Sequence, residues 1–459
     1  MAIAQLLRLR YLGFLVLSTL LFVHCSSAPD GNTNNNTTNS NTNKPPEQRN
    51  STQAITYHKD VRSILDKDCV GCHYTGGIGI FPLTNYKEVK TYATAVADAV
   101  KTRRMPPYPA DAKACGQEYH DNPSLTQKEI DTIVEWVKAE APEGDESTYK
   151  KPETNNLNVG LSRVDLTLKM PESYVPVKMP DDYRCFLVPW PMKETRYVSG
   201  FQIKAGNPAL VHHVIAYVAK PKDVEKFYKL DKDDKGPGYE CFGGSGGSAE
   251  WLGVWAPGTP GRDYPKGTGI AVEPGSMIII QMHYNSLNKK PGADQTSIEM
   301  KLEKTVEKPA YLLPLAAAGL HKDKNGKKMS WTIPAGEQFT HRELIDNPLT
   351  FPVTIHSTMF HMHMLGKVGR MYIKRKDDTK EESMCLLHIP RWDFNWQLAY
   401  PLKKPVIVNP GDRVGIECRW DNSAANQPIV DGKRIKPRDQ HWGDGSTDEM
   451  CLGVVYVSY

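Results

Sequence analysis

Phe360-His361-Met362-His363-Met364-Leu365-Gly366-Lys367 closes a run, residues 349–360, that is rich in Thr, Val, Ile and Phe. Such a run favours an extended strand. On a strand, residues i and i+2 share a face, so His361 and His363 present two imidazoles side by side, half of a transition-metal site. Alone, a His-x-His pair is as readily two half-buried core histidines. Three other pieces give it weight: His212-His213, the lone His283 in Gln281-Met282-His283-Tyr284, and Met450 in Asp448-Glu449-Met450-Cys451.

Outward from this stretch the same pattern repeats. Short runs rich in Val, Ile, Tyr and Thr occur at 197–203, 211–219, 275–284, 371–374, 406–408, 414–419 and 452–458, separated by Gly, Pro, Asn and Asp. No long helical period interrupts them. The length predicts two all-β sandwiches rather than one, with a boundary that gives units 165–306 and 307–459.

The preceding region is different. Residues 55–145 read as helix, loop, helix, loop, helix, with helical spacing at 86–101 and at 126–139, the latter after Ser124 as N-cap. Between the first two helices lies Cys69-Val70-Gly71-Cys72-His73. Two thiols and a following histidine at this spacing suit covalent haem attachment, with His73 as iron ligand; a redox dithiol or half a zinc site is the competing reading. The unit resembles a monohaem cytochrome c. That resemblance implies a haem c, with Met105 in Arg104-Met105-Pro106-Pro107-Tyr108 as sixth ligand, His120 in reserve, and His58 as a surface or capping residue. Polar residues 146–164 read as a linker.

The N-terminus carries Arg8 and Arg10, an apolar run at 11–23, then Cys25-Ser26-Ser27. The run is too short to span a bilayer and suits a secretory signal. Cys25 resembles the lipidated cysteine of a bacterial lipoprotein, although His24 replaces the usual small residue. Residues 1–25 are thus expected to be a signal peptide and 26–54, almost all Asn, Thr, Ser and Pro, a disordered tether. Plain cleavage or an uncleaved anchor are the alternatives. The expected location is exported and membrane-anchored through the lipid, in the periplasm or at the cell surface. A net charge of +4 with 24% charged residues argues against a nucleic-acid partner.

Taken together, His212-His213, His283, His361-x-His363 and Met450 resemble, in order and flanking residues, the copper type II ascorbate-dependent monooxygenases, the family of peptidylglycine α-hydroxylating and dopamine β-monooxygenase. The resemblance covers about 165–459 and has no counterpart for the haem unit. It implies jelly-roll-like sandwiches and two copper ions. His212, His213 and His283 would hold an electron-storing copper. His361, His363 and Met450 would hold the copper where oxygen reacts and would be the catalytic residues. Imidazole suits either copper oxidation state and thioether favours the reduced one. Adjacent His212 and His213 face opposite ways on a regular strand, so a shared ion requires a distorted strand or different ring nitrogens. Gln281 is expected to orient or bridge to His283; the resemblance places His441 near the oxygen-side copper and pairs Cys418 with Cys451, and Cys185 is expected to pair with Cys241. Cys115 and Cys385 are expected to be free thiols, with a bridge between the helical and β units as the alternative. His356 is expected to be structural.

Peptide-hydroxylating relatives recognise a substrate carboxylate with an Arg two residues before His-x-His and with Asn and Tyr after the ligand Met; here those positions are Met359, Leu452 and Val454. A carboxylate would lose its donors there. The expected activity is hydroxylation of a C–H bond of a small substrate with O2. Its electrons would come from an ascorbate-like reductant or a redox protein, with the fused haem supplementing or replacing ascorbate. The alternative functions are an electron-transfer or copper-handling lipoprotein without turnover, and a structural surface protein without metal.

Overall fold

The computed structural model describes residues 54–459, apart from 76–78, 121, 154–159, 258, 260, 287–291, 320, 323–327, 348–349 and 431. The expected signal segment, tether and Cys25 lie outside the described residues. Among those residues no helix is long and apolar enough to cross a membrane.

The helical region is built from Arg62–Asp68, Tyr86–Thr91, Ala93–Lys101, Ala112–Cys115 and Gln127–Lys138. The periodic segment 86–101 is two helices that meet at Tyr92. The last helix is capped by Thr126 rather than Ser124. The Thr126 hydroxyl accepts the Glu129 N–H, and the Glu129 carboxylate accepts the Thr126 N–H in return. This reciprocal pair satisfies two otherwise orphan donors, which Ser124 cannot do from its position. Ile130, Ile133 and Trp136 recur on one face and join Tyr57, Leu65 and Val96 in a separate small core. Burial of each such side chain contributes roughly 1.5–3 kcal/mol. His58, expected at the surface, is buried beside Tyr57 because the turn Tyr57–Val61 tucks it inward.

Residues 108–120 leave that core and pack on the β region. Tyr119 is buried in the C-terminal core and donates from its hydroxyl to the Leu386 carbonyl, 2.9 Å. Gln117 donates to the Cys385 carbonyl, and the backbone N–H groups of Asp111 and His120 donate to His388 and Pro401. Here the expectation of free Cys115 and Cys385 is corrected. They form a disulfide, with Cα atoms 5.2 Å apart. The short helix Ala112–Cys115 lies beside the strand Met384–Ile389, and so two cysteines 270 positions apart in sequence meet. The expected pairs Cys185–Cys241 and Cys418–Cys451 are also bonded. Three disulfides fit an oxidising compartment.

The β region has two sandwich-like cores. One gathers Phe186, Val214, Ile270, Ile280 and Tyr284; the other gathers Phe360, Met371, Leu386, Ile416 and Trp420. One helix, Val224–Asp233, interrupts the strands, burying Phe227 and exposing its Lys and Asp residues; its few apolar positions concealed it in the sequence.

The two cores share one long sheet. Its order runs Asp181–Pro189, Met277–Asn285, Val211–Ala219, Glu250–Trp255, Lys308–Ala316, Leu452–Ser458, Val353–His361. From Val211–Ala219 to Val353–His361 there are four strand steps, which would be about 19 Å in a flat sheet. Yet the His213 and His361 rings lie 6.3 Å apart. The sheet therefore folds over on itself. The thinnest join along that path is where Lys308–Ala316 meets Glu250–Trp255 through the single pair Leu312–Trp251.

Candidate metal centres

The cavity inside that fold is lined from alternating strand positions. His213, Ile215 and Tyr217 face it from one strand, Met359 and His361 from another, and Leu452 and Val454 from a third. Its volume is about 230 Å3, and Met450, His363, Trp251 and Asp444 complete much of the wall. Among the described residues no Lys or Arg lines it. Met359, Leu452 and Val454 are among its apolar lining residues.

His212, His213 and His283 form the first centre. The pairing of Val211–Ala219 with Met277–Asn285 slips between Val211 and His213, a bulge that lets His212 turn to the same side as its neighbour. His212 Nδ1 is 3.4 Å from His213 Nδ1, which is 3.3 Å from His283 Nδ1. Ring nitrogens at ~2.0–2.1 Å from one tetrahedral ion stand ~3.3–3.4 Å apart, so this spacing fits a shared metal. Among the described residues this is the one group of three or more His, Cys, Asp or Glu side chains whose ligand atoms all lie within 4.8 Å of one another. The expected distortion is therefore present.

Asp181 fixes the third ring. His283 Nε2–H donates to Asp181 Oδ1, 2.9 Å, leaving Nδ1 with its lone pair toward the cluster. Ser446 and Asn285 also donate to Asp181. Burial opposes charge on this carboxyl, but the donated hydrogen bonds outweigh it and hold Asp181 well below the carboxylate range. Tyr183 stacks on His283 with ring centroids 4.0 Å apart. Burial, then the neighbouring histidines, push His212 and His213 well below their ordinary values. At neutral pH these rings are uncharged and able to take a metal.

The second centre is arranged differently. His361 ends its strand and His363 lies in the turn beyond, so the i, i+2 relation holds although the strand does not reach both. Their ring centroids are 4.9 Å apart. His361 Nδ1–H donates to Gln397 Oε1, 2.6 Å, and Gln397 is oriented by its own donation to the Phe394 carbonyl. His363 Nδ1–H donates to the Asp448 carbonyl, 3.1 Å. Both rings thus keep Nε2 free, and Met450 shares the cavity with them. Burial lowers His361 to about 4 and His363 well below its ordinary value. Glu449, between Asp448 and Met450, accepts the N–H groups of His363 and Leu365 and the Trp420 indole N–H. It ties the methionine segment to the histidine turn, and Cys418–Cys451 holds the same segment covalently.

Some expected neighbours lie elsewhere. Gln281 lines the cavity but accepts from Tyr217 and donates to Cys241 and Gly244, not to His283. His441 is exposed and pairs with Thr332. His356 bonds Ser458 Oγ, as a structural residue does. The residues that sequence reasoning missed are Asp181, Gln397, Glu449 and Phe394. Phe394 stacks on His212, with ring centroids 4.6 Å apart.

A third site lies in the helical region. Cys69, Cys72, His73 and Met105 line one cavity of about 850 Å3, whereas His120 is exposed outside it. Among the described residues Cys69 and Cys72 are the cysteines without a disulfide. Burial pushes the Cys69 thiol up to about 12, the opposite of a reactive redox dithiol. His73 Nδ1–H donates to the Phe81 carbonyl, 2.9 Å, which leaves Nε2 for a metal. Gly79 lies so close that a Cβ there would come within 2.5 Å of His73 Nδ1. The donors, the oriented ring and the cavity size fit a haem.

Residues 166–291 match the family described as copper type II ascorbate-dependent monooxygenase, N-terminal domain, and residues 338–459 match its C-terminal domain. Peptidyl-glycine alpha-amidating monooxygenase of Mus musculus is 24% identical over 301 residues, 64% of this chain and 27% of the mouse protein. DBH-like monooxygenase protein 1 of Homo sapiens is 25% identical over 274 residues, 55% of this chain and 40% of the human protein. The chain thus spans well under half the length of either relative. The solved structure of N-glycanase F (PNGase F) overlays with a TM-score of 0.26 and 11% identity, over 64% of this chain and 95% of that one. At that score it carries no argument.

Proposed function

The chain belongs, through both domains, to the copper type II ascorbate-dependent monooxygenases, and from that premise we propose that it is an exported dicopper monooxygenase that hydroxylates a C–H bond of a small, largely apolar substrate. The single observation that carries this reading is one apolar cavity bordered by His213 on one side and by His361, His363 and Met450 on the other. Copper, when bound, supplies the single-electron chemistry and the site of dioxygen reduction. In this reading His212, His213 and His283 hold one ion through Nδ1, and His361, His363 and Met450 hold the other. Gln397 and the Asp448 carbonyl fix the ring tautomers. Met450 favours the cuprous state that must meet oxygen.

The cavity wall argues for the substrate class. Ile215, Trp251, Val254, Met359, Leu452 and Val454 offer apolar contact. Among the described residues no cationic side chain lines the wall to pair a carboxylate, so a glycine-extended peptide of the kind the amidating relatives' name suggests is disfavoured. The Cys69-x-x-Cys72-His73 unit is read as a haem c carrier with Met105 as second axial ligand, delivering electrons one at a time. Its tethering gives a high effective concentration. The disulfides support export.

The test is oxygen uptake by copper-loaded protein with a panel of small apolar and amine compounds, with product identification. Substrate-linked uptake and a hydroxylated product are expected, and both vanish in His363→Ala. Copper that cycles between its two oxidation states without substrate-linked uptake would instead identify an electron-transfer protein.

A further inference from the structure

The large cavity that holds Cys69, Cys72 and His73 is not closed by the helical region alone. Its far wall is made by the β region: Pro208, Val211 and His212 on one side, and Phe394, Trp396 and Leu398 on the other. The loop 393–398 therefore has three faces. Phe394 stacks on His212, with the ring planes 23° apart, and its ring lies 6.0 Å from that of His363. Gln397 holds His361. The remaining surface of the loop, with Phe394, borders the cavity of the CxxCH motif.

The helical region is fixed in this position from the side that carries Met105. Directly after Met105 and Pro106-Pro107, the Tyr108 ring packs on Tyr400, 5.4 Å between centroids. The chain then runs to Cys115, bonded to Cys385, and to Tyr119 in the C-terminal core. The Arg391 guanidinium, at the base of the loop, donates to the Arg103 carbonyl. A free, swinging cytochrome would not need its ligand loop sewn to its partner.

We propose that the copper domains complete the haem pocket, and that Phe394, stacked on His212, is the electron contact between a haem held by Cys69, Cys72 and His73 and the His212, His213, His283 centre. Through this contact one electron passes, taking ferrous haem to ferric and cupric copper to cuprous. No bond is made or broken and no proton moves. An external one-electron donor, a small redox protein or an ascorbate-class reductant, restores the ferrous haem. The Cys115–Cys385 bond keeps the contact closed, so no docking step precedes transfer. The proposal rests on the haem and copper readings above but not on turnover.

The test uses the full chain carrying haem and copper, without oxygen or substrate. Haem is reduced by a flash-excited photosensitiser with a sacrificial electron donor, and its reoxidation is followed in the visible spectrum, with zinc-loaded protein as control. Expected is a first-order reoxidation with a rate constant independent of protein concentration, absent with zinc. Phe394→Leu slows it several-fold while leaving the Soret band unchanged. A rate constant that rises with protein concentration, or one that Phe394→Leu leaves untouched, overturns the proposal. Should that variant fail to fold, the parent protein decides by pulsed EPR. Cupric copper must speed the relaxation of ferric haem relative to zinc-loaded protein, and equal relaxation overturns the proposal. Absence of covalent haem from the purified chain would strike the cofactor reading itself, and absence of substrate hydroxylation would strike the proposed function alone.

Discussion

The two candidate copper centres solve one problem by opposite means. At His212, His213 and His283 the backbone is distorted: a bulge turns adjacent residues to one side, and three Nδ1 atoms converge directly. At His361 and His363 the backbone needs no bulge between the ligands, and outside partners, Gln397 and the Asp448 carbonyl, occupy each Nδ1 and leave Nε2 for the metal. The first centre is a compact cluster of three rings on two paired strands. The second depends on a loop, a turn and a disulfide-held segment arriving together, and these elements also form the cavity wall. A rigid pocket suits an ion that only stores an electron. A centre with one weak thioether and an apolar cavity before it suits an ion that must admit oxygen.

The most severe way to break this comparison is to remove ligands. His363→Ala should abolish substrate-linked oxygen uptake and leave about half of the bound copper, and His283→Ala should remove the other half. Elemental analysis with oxygen electrode traces checks both. A second route acts on support rather than ligands. Cys418→Ala with Cys451→Ala should lower unfolding free energy by about 2–5 kcal/mol. It should also weaken copper at the Met450 centre more than at the first, read by denaturant unfolding and chelator competition.

A sharper probe is Asp181→Asn, which removes the carboxylate that sets the His283 tautomer while nearly keeping its shape. Copper affinity at the first centre should fall by ~10–100-fold, with the second unchanged, by competition against a chelator. Ser446→Ala, which loses one of several donors to Asp181, should have a smaller effect in the same direction.

The smallest effect expected is in acid. Burial opposes charge on Asp234, but Arg184 and the N–H groups of Gly236 and Glu240 outweigh it and lower its carboxyl to about 2. A folded value below the unfolded one means the carboxylate stabilises the fold above the ordinary value of 3.8 and stops doing so as pH falls to about 2. The difference in melting temperature between the parent and Asp234→Asn should shrink as pH falls through that interval and vanish only below about 2.

Much of the candidate site was legible because residues able to hold a metal are rare types at fixed spacing: the histidine pairs, Met450 and Cys69-x-x-Cys72-His73 stand out in the sequence, and the structure brings them to two cavities. The strands 211–219 and 452–458 were legible from β-branched runs between turn residues. What escaped depended on distance in the chain. Asp181 reaches His283 only because their strands are neighbours, and Gln397 and Phe394 sit on a loop with no periodic signal. Cys115 and Cys385 looked unpaired because nothing local reveals that residues 108–120 leave the helical core for the other unit. The cap at Thr126 went to the residue whose partner sat three positions on, a contest that Ser124 lost by two residues.

The central claim is two copper centres of unlike ligation facing one cavity. X-ray absorption of the fully reduced, copper-loaded protein tests it most directly. The account predicts two coppers per chain, with one sulfur scatterer for each pair of coppers, and loss of that sulfur signal in Met450→Leu while the nitrogen shell at the other centre persists. One copper per chain, or a sulfur signal unchanged by Met450→Leu, would contradict it.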